Sequence, residues 1–317
     1  MSILSELQFH SEEAAYEWVE CRLWPNGPEC PRCKGTDRVG KLKGESTRIG
    51  VYKCYACKKP FTVKVGTIFE DSHISLRIWL QAIHLLSSSK KGMSANQLHR
   101  TLKVTLQSAW FLGHRIREAM RTGSFAPIGG PGGMIEADET FIGKKAGIGK
   151  APNARGYAHK QAAFSLVERG GDIRSFHIDK ADAATIKPIV DANVRKESML
   201  MTDEASYYRG IGKEFKGHFT VEHGAGEYVR GSAHTNTLEG YFSVFKRGMK
   251  GVYQHCDERH LHRYLAEFDF RYNNRVRRGV NDEQRAEKAL LGVKGKRLTY
   301  KAADRKPNDG NTEAPST

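Results

Sequence analysis

Apolar positions recur with a helical period in several stretches of the N-terminal half of the chain. In residues 1–20, Ser11 is placed to cap a short amphipathic helix. A second helix is predicted within residues 72–89. Ser94 then begins a short helix, and Thr105 begins another after a tight turn. A short helix, a turn and a further helix are typical of a helix-turn-helix, with an ordinary helical hairpin as the alternative.

The C-terminal half shows short alternating patterns of strands between helical stretches. Strands are predicted at 134–142, 161–168, 172–178, 198–202 and 218–222, and helices at 182–197, 204–215, 234–247 and from 257 towards 273. Arg169-Gly170-Gly171 is predicted to be a hairpin turn. Three adjacent strands, a helix, a strand, a helix, a strand and closing helices give the order of the ribonuclease-H fold. We therefore predict an α/β domain of that fold with a mixed five-stranded sheet.

Glycine, proline and polar residues mark the predicted boundaries of a multidomain chain. Glycine-rich loops are expected at 143–160 and 224–233, and a disordered tail beyond about Lys296. The predicted division is 1–70 for an N-terminal helix and zinc ribbon, 71–122 for a helical, helix-turn-helix-like DNA-binding region, 123–133 for a linker, 134–295 for the catalytic domain and 296–317 for the tail.

Four of the six cysteines have the spacing of a metal site. Cys30 and Cys33 form one Cys-x2-Cys pair, and Cys54 and Cys57 form a second one after twenty residues. Two such turns can close on one Zn²⁺ ion with tetrahedral thiolate ligation, and strands predicted near 48–53 and 61–65 complete a zinc ribbon. A chance pair or a redox dithiol is the alternative. The zinc would be structural, because some fifty residues cannot supply a sufficient core.

Charge narrows the class of partner. The formal net charge is +15 over 317 residues, which favours a polyanionic partner such as nucleic acid over a merely soluble basic protein. The N-terminus does not resemble a signal peptide, and no apolar run approaches the roughly 20 residues that span a bilayer. We therefore expect a cytoplasmic protein with no membrane partner.

Three carboxylates are predicted to converge at one edge of the sheet. Asp138 lies in the first predicted strand, Asp203 just beyond the fourth, and Glu239 on the helix that follows, with 35 residues between the last two. Taken singly, each is an ordinary turn, cap or surface residue. Together they suit Mg²⁺ or Mn²⁺, because like charges packed together need cations. Lys246 lies two turns after Glu239 and could hold a phosphate, while Asn236 shares the face of Glu239.

Other carboxylates and cations are weaker candidates. On a strand, Glu136 points the same way as Asp138, and Glu139 points away. Side chains that could contact DNA occur in the longer helix of the predicted helix-turn-helix and in the lysine-containing helix. They are Gln107, Ser108, His114, Arg115, Arg117, Lys246, Arg247 and Lys250.

At these residues the chain resembles the DDE transposases of bacterial insertion sequences, in the group with an N-terminal zinc ribbon. The resemblance covers roughly residues 8–280. Its motifs are Cys30/Cys33/Cys54/Cys57, Asp138–Lys145, Thr202–Glu204, His234–His255 and Glu267–Arg275. It implies binding of double-stranded DNA at terminal inverted repeats, metal-dependent strand cleavage and strand transfer, and a homo-oligomer on DNA. The third metal ligand is Glu in some members and Asn in others, and the spacing here favours Glu239 over Asn236.

Two other functions remain open at this point. One is a regulator that binds DNA through its ribbon and helix-turn-helix and carries a silent α/β domain. The other is a structure-specific nuclease of the ribonuclease-H fold. An intact set of three carboxylates argues against the regulator, and the nuclease leaves the ribbon without a role.

Overall fold

The computed structural model describes residues 2–121, 126–145, 147–149, 157–221 and 234–299. The helices of these ranges are α1 (Glu12–Leu23), α2 (Leu76–Ser88), α3 (Ala95–Leu102), α4 (Leu106–Met120), α5 (Ala183–Asn193), α6 (Tyr208–Gly212), α7 (Asn236–Gly248), α8 (Leu261–Asn273) and α9 (Asp282–Leu291). The strands are β1 (Val39–Lys41), β2 (Tyr52–Cys54), β3 (Pro60–Phe61), β4 (Met134–Ile142), β5 (Gln161–Glu168), β6 (Ile173–Ile178), β7 (Met199–Asp203) and β8 (Gly217–Val221). The predicted loop 224–233 and most of the predicted tail lie outside the described residues.

The N-terminal cysteines form a zinc ribbon on a small antiparallel sheet ordered β1-β2-β3. Lys34 and Lys58, each directly after a cysteine pair, have φ of 61° and 57°, the left-handed conformation that closes a tight turn. The Sγ atoms of Cys30 and Cys57 are 3.7 Å apart, and those of Cys33 and Cys54 are 3.5 Å apart. Tetrahedral Zn–S bonds of about 2.3 Å separate sulfurs by about 3.8 Å, so the four residues fit Zn²⁺.

The helices on either side of the ribbon share one hydrophobic core with α9, the last helix of the described residues. The Ser11 hydroxyl caps α1 by accepting the N–H of Ala14, as predicted. Trp79 of α2 and Leu112 of α4 are buried in this core, together with Leu290 of α9, a helix that the sequence patterns did not predict. Helix α9 packs against α2, although the two helices are distant in sequence. The predicted domain boundaries remain a prediction.

The predicted order of short helix, tight turn and longer helix is present in α3 and α4. Lys103 between them is left-handed, with φ of 55°, and Thr105 caps α4 through the N–H of Ser108. Only the beginning of α4 is open to solvent, where Leu106 is 46% exposed and Gln107 is exposed. Most of the remaining helix is buried, so its open N-terminal turn is the part available to a partner.

The second half folds into a five-stranded mixed sheet ordered β6-β5-β4-β7-β8. β4 runs antiparallel to β5 and parallel to β7, and β7 runs parallel to β8. One face of the sheet is covered by α7 and α8, and the other by α5 and α6. The prediction of a mixed five-stranded sheet is confirmed. Several bounds differ: Asp203 is the last residue of β7, the helix predicted at 182–197 ends at Asn193, and the helix predicted at 204–215 shortens to α6.

A buried ion network joins the helical core to the sheet region. Glu267 of α8 is 0% exposed and accepts a hydrogen bond of 2.6 Å from Arg117 of α4, another from Arg271, and one of 2.5 Å from the Tyr253 hydroxyl. Burial favours the neutral acid, yet the two arginines bring the pKa of Glu267 below its ordinary value. The network therefore requires all its members, because each removed partner leaves a buried charge unpaired.

We expect the Cys33→Ser variant to bind the ribbon metal less tightly and to unfold at a lower temperature. In cobalt-substituted protein the thiolate-to-cobalt charge-transfer absorption should weaken, because one of four sulfur ligands is gone. Cys21→Ser is the matched control, since Cys21 is an exposed thiol outside the cluster. An unchanged absorption in Cys33→Ser would contradict the four-thiolate site.

We expect Glu267→Gln to lower the free energy of unfolding by about 3–5 kcal/mol, because it leaves two buried arginines without their carboxylate. Asp191→Asn removes a surface carboxylate paired with two lysines and should cost about 1 kcal/mol or less. Urea unfolding of both variants measures the difference. Equal losses would show that the buried network is no more important than a surface pair.

Candidate active site

The parallel pairing of β4 and β7 brings Asp138 and Asp203 to the same edge of the sheet. Met134 pairs with Met199, and the pairing ends at Glu136 and Met201. Each aspartate lies two residues further along its strand. One carboxylate oxygen each from Asp138, Glu139 and Asp203 lies within 4.8 Å of the other two. The predicted meeting of Asp138 and Asp203 is therefore present, and Glu139 joins them.

The backbone around each aspartate fixes its carboxylate. Asp203 Oδ1 accepts the N–H of Ala205 at 3.0 Å, which holds the side chain at the turn where β7 ends. Asp138 Oδ1 accepts the N–H of Glu139 at 2.7 Å. Both groups are thus oriented by local hydrogen bonds that follow directly from their positions in the chain, with one Asp138 oxygen still outside that bond.

Glu139 reaches the group from the opposite face of the sheet. Its two carboxylate oxygens accept hydrogen bonds from Tyr207, at 2.8 Å, and from Tyr208, on the face covered by α5 and α6. The alternation expected for a strand therefore holds. Glu139 nevertheless offers an oxygen within 4.8 Å of Asp138 and Asp203, at a point where β4 still pairs with β5 and no longer pairs with β7.

Burial and mutual repulsion make the ionised forms of these acids costly. Burial raises the pKa of Asp138 well above its ordinary value, and the charges of Glu139, Asp203 and Glu239 raise it further. Burial also raises the pKa of Glu139 to about 7, although two tyrosine hydroxyls oppose the shift. A divalent cation bound between the carboxylates would reverse this cost, and oxygen ligands suit Mg²⁺ or Mn²⁺.

Glu136 anchors the helix that crosses this edge. Its fully buried carboxylate accepts the backbone N–H groups of Thr237 at 2.9 Å and Leu238 at 3.1 Å, together with the Thr237 hydroxyl at 2.8 Å. Arg169 donates to the same carboxylate at 2.7 Å. An anion at a helix N-terminus satisfies open N–H groups and complements the helix dipole. The strand that carries Asp138 therefore also sets the position of α7.

The helix α7 presents three of the predicted site residues. Asn236 and Glu239 are exposed, and the Thr235 hydroxyl lies 3.4 Å from Glu239 Oε1 as a donor. Burial lowers the pKa of Lys246, while the charge of Asp138 opposes that shift. Glu239 and Lys246 thus both act electrostatically on Asp138, and Glu239 lies outside the tight group of three carboxylates.

The candidate DNA contacts separate into exposed and buried residues. Arg247 and Lys250 are exposed near the end of α7. By contrast, Arg115 and Arg117 are each 4% exposed, and His114 is 1% exposed. The expectation that these three contact DNA is wrong for this structure. Their helix packs into the core, and the two guanidinium groups are held by the protein itself, Arg115 by backbone carbonyls of residues 68, 70 and 298.

The sequence patterns did not predict two features that support the candidate site, the contact of Glu136 with α7 and the tyrosine pair that binds Glu139. The face shared by Glu136 and Asp138 was visible from strand alternation, but its contact with a helix some hundred residues later carries no local signal. Tyr207 and Tyr208 lie in a stretch predicted only as helix. An adjacent pair of tyrosines shortly after Asp203 is the signal that was available for them.

Comparison with known proteins gives two family matches and one relative. Residues 131–273 match the ISXO2-like transposase domain, and residues 10–60 match the transposase zinc-ribbon domain. Two regions of the chain are therefore similar to domains of insertion-sequence transposases. An uncharacterized protein in transposable element ISH50 of Halobacterium salinarum is 29% identical over 282 residues, which span 83% of this chain and 91% of the relative.

The match to the transposase domain spans β4 to α8, and it therefore contains the whole carboxylate edge and the α7 helix. The zinc-ribbon match contains all four clustered cysteines. Within the described ranges, no helix combines the length and apolar character needed to cross a membrane.

We expect the metal-free protein to lose stability as pH rises from about 4.5 to above 7. Below this range Glu139 is protonated in both folded and unfolded chains. Above it the folded protein must hold an ionised Glu139, at a cost of up to about 3 kcal/mol. Glu139→Gln should remove that part of the pH dependence in urea unfolding, and exposed Glu45→Gln should not.

The cost of ionising the buried carboxylates also predicts how added metal affects stability at different pH values. Mg²⁺ or Mn²⁺ should raise the unfolding temperature at pH 8 more than at pH 5, because cation binding requires ionised carboxylates. An equal rise at both pH values would show that the cation binds elsewhere.

Proposed function

We propose that this chain is an active transposase that binds the double-stranded DNA ends of an insertion sequence and catalyses metal-dependent strand cleavage and strand transfer. The convergence of Asp138 and Asp203 at one sheet edge, within electrostatic reach of Lys246, carries the proposal. A group of carboxylates beside a lysine suits phosphoryl transfer, where cations and a positive side chain face the phosphate.

In this proposal Asp138, Asp203 and Glu239 hold the catalytic cations. When bound, Mg²⁺ or Mn²⁺ would activate a water or a 3′-hydroxyl and stabilise the leaving oxygen on phosphorus. Lys246, half-buried beside Asp138, holds a non-bridging oxygen of the scissile phosphate. The hydrogen bonds from the backbone to Asp138 and Asp203 keep both carboxylates oriented before DNA arrives.

Glu239 is favoured as the third metal ligand over Glu139 and Asn236. Its charge already acts on Asp138, and it stands on a helix whose start is fixed by Glu136. Glu139 is closer to the aspartates, but both of its oxygens accept hydrogen bonds from tyrosine hydroxyls, which supports a role in orienting the group from the opposite face of the sheet. Asn236, at the first position of α7, is then a group beside the metal site and not a ligand.

DNA contacts in this proposal come from three separate surfaces. Arg247 and Lys250 extend the positive end of α7. Gln107, at the open beginning of α4, is in the part of a helix-turn-helix that enters the major groove. The basic zinc ribbon supplies a third surface. Because two element ends are joined in one reaction, we propose a homo-oligomer, at least a dimer, on DNA.

We expect Asp138→Asn to reduce cleavage of a DNA end in Mg²⁺ by at least about 100-fold, equivalent to roughly 3 kcal/mol of transition-state stabilisation. Binding of the same DNA in a gel-shift assay should persist, since phosphate contacts come from other residues. Asp37→Asn, an exposed aspartate in the ribbon, is the matched control. Equal cleavage by Asp138→Asn and wild type would refute the metal site.

The same assay ranks the remaining candidates. Glu239→Gln should lose cleavage as Asp138→Asn does, and Asn236→Ala should lose less, whereas the reverse order would assign the third position to Asn236. Wild-type protein that binds ends but neither cuts nor joins them would instead be a regulator. Cleavage without any strand-transfer product would indicate a nuclease.

A further inference from the structure

The helix α8 lies along β6, the edge strand of the sheet, and is attached to it by side chains at alternate strand positions. Asn273 accepts the N–H of Ile173 at 2.8 Å and donates to its carbonyl at 3.0 Å. Asp269 accepts the N–H and the hydroxyl of Ser175, both at 2.7 Å. The helix thereby covers backbone groups of a strand edge that would otherwise be open.

His177 is the next residue on the same side of β6, and its contact differs from the first two. Its Nε2 atom is buried and has no hydrogen-bond partner among residues of the described ranges. The nearest carboxylate oxygen is Oε1 of Glu258, at 3.5 Å, in the turn Glu258–His260 that leads into α8. A buried imidazole nitrogen without a partner is costly, so a third component between the two groups is the physical expectation.

Asp179 completes a set of three groups with the donor types of a metal site. One ligand atom from each of His177, Asp179 and Glu258 lies within 4.8 Å of the others. Tetrahedral bonds of about 2.0–2.2 Å place ligand atoms about 3.3–3.6 Å apart, a range that includes the 3.5 Å between Nε2 and Oε1. Asp179 is exposed directly after the end of β6.

We propose that His177, Asp179 and Glu258 form a second zinc site that fastens the entry of α8 to the edge strand. One imidazole and two carboxylates suit Zn²⁺, and the open pocket of about 540 Å³ that these residues line leaves the fourth position to water. The site stands apart from the catalytic acids, because β6 and β4 are separated by β5, or about 10 Å. It does not depend on the proposed function.

The neighbouring cations have partners outside the three ligand side chains. Lys145 donates to the backbone carbonyl of Asp179 at 2.6 Å. Arg259 holds Asp257 through two hydrogen bonds of 3.1 and 2.9 Å, and Lys180 contacts Asp182 at 3.2 Å. The charge of two carboxylates facing one buried imidazole nitrogen thus matches a divalent cation. Asn273 and Asp269 attach α8 to Ile173 and Ser175 of β6 by hydrogen bonds. A zinc ion would attach the start of α8 to the third position, His177.

The test is the zinc content of the full-length chain after dialysis against Zn²⁺ with excess Mg²⁺. An Asp203→Asn background prevents zinc from occupying the catalytic carboxylates. We expect two zinc ions per chain in that background, and one after adding either His177→Gln or Glu258→Gln. The controls, exposed His73→Gln and Glu45→Gln, should keep two. One zinc in the background protein, unchanged by His177→Gln, overturns the proposal.

A second measurement protects the test against a misfolded variant. Anomalous diffraction from crystals of the Asp203→Asn protein with His177 and Glu258 intact, recorded at the zinc edge, should show one peak within the four cysteines and another between His177 and Glu258. Added Zn²⁺ should also raise the unfolding temperature of the wild-type protein, and it should raise that of Glu258→Gln by less. A second peak at any other residues, or none, overturns the assignment.

Discussion

The carboxylate of Glu136 is the contact on which the geometry of the candidate active site depends. It is fully buried and occupies the N-terminus of α7, where it accepts two backbone N–H groups and is met by Arg169. Asp138 lies two residues further along the same strand and the same face. One short piece of β4 therefore positions a candidate metal ligand directly and, through the helix, Glu239 and Lys246 as well.

Much of this arrangement follows from patterns that are local in sequence. Alternating apolar residues defined the strands, and the strand order placed Asp138 and Asp203 on parallel neighbours. The spacing of Glu239 and Lys246 followed from helical periodicity. The cysteine pairs fixed the ribbon by the same logic, because ligand spacing is local even where the fold is not.

What could not be predicted depends on contacts between distant segments. Arg115 and Arg117 have the composition of a DNA-reading helix, yet α8 and the residues before α2 enclose them. Polar periodicity could not reveal this, because a buried arginine with partners looks the same in sequence as an exposed one. The packing of α9 against α2 and the approach of Glu139 from the opposite face have the same origin in tertiary structure.

The structural carboxylates and the candidate catalytic carboxylates differ in whether a positive side chain compensates their buried charge. Glu136 and Glu267 each meet arginine side chains that compensate their burial. In the group of Asp138, Glu139 and Asp203, burial and mutual repulsion instead raise the pKa of the first two. Folding therefore leaves at this edge an electrostatic cost that ligation of divalent cations removes. A divalent cation can lower this electrostatic cost only when the carboxylates are ionised and close together. The clustering of carboxylates that destabilises the metal-free protein therefore also favours the binding of a cation at this position.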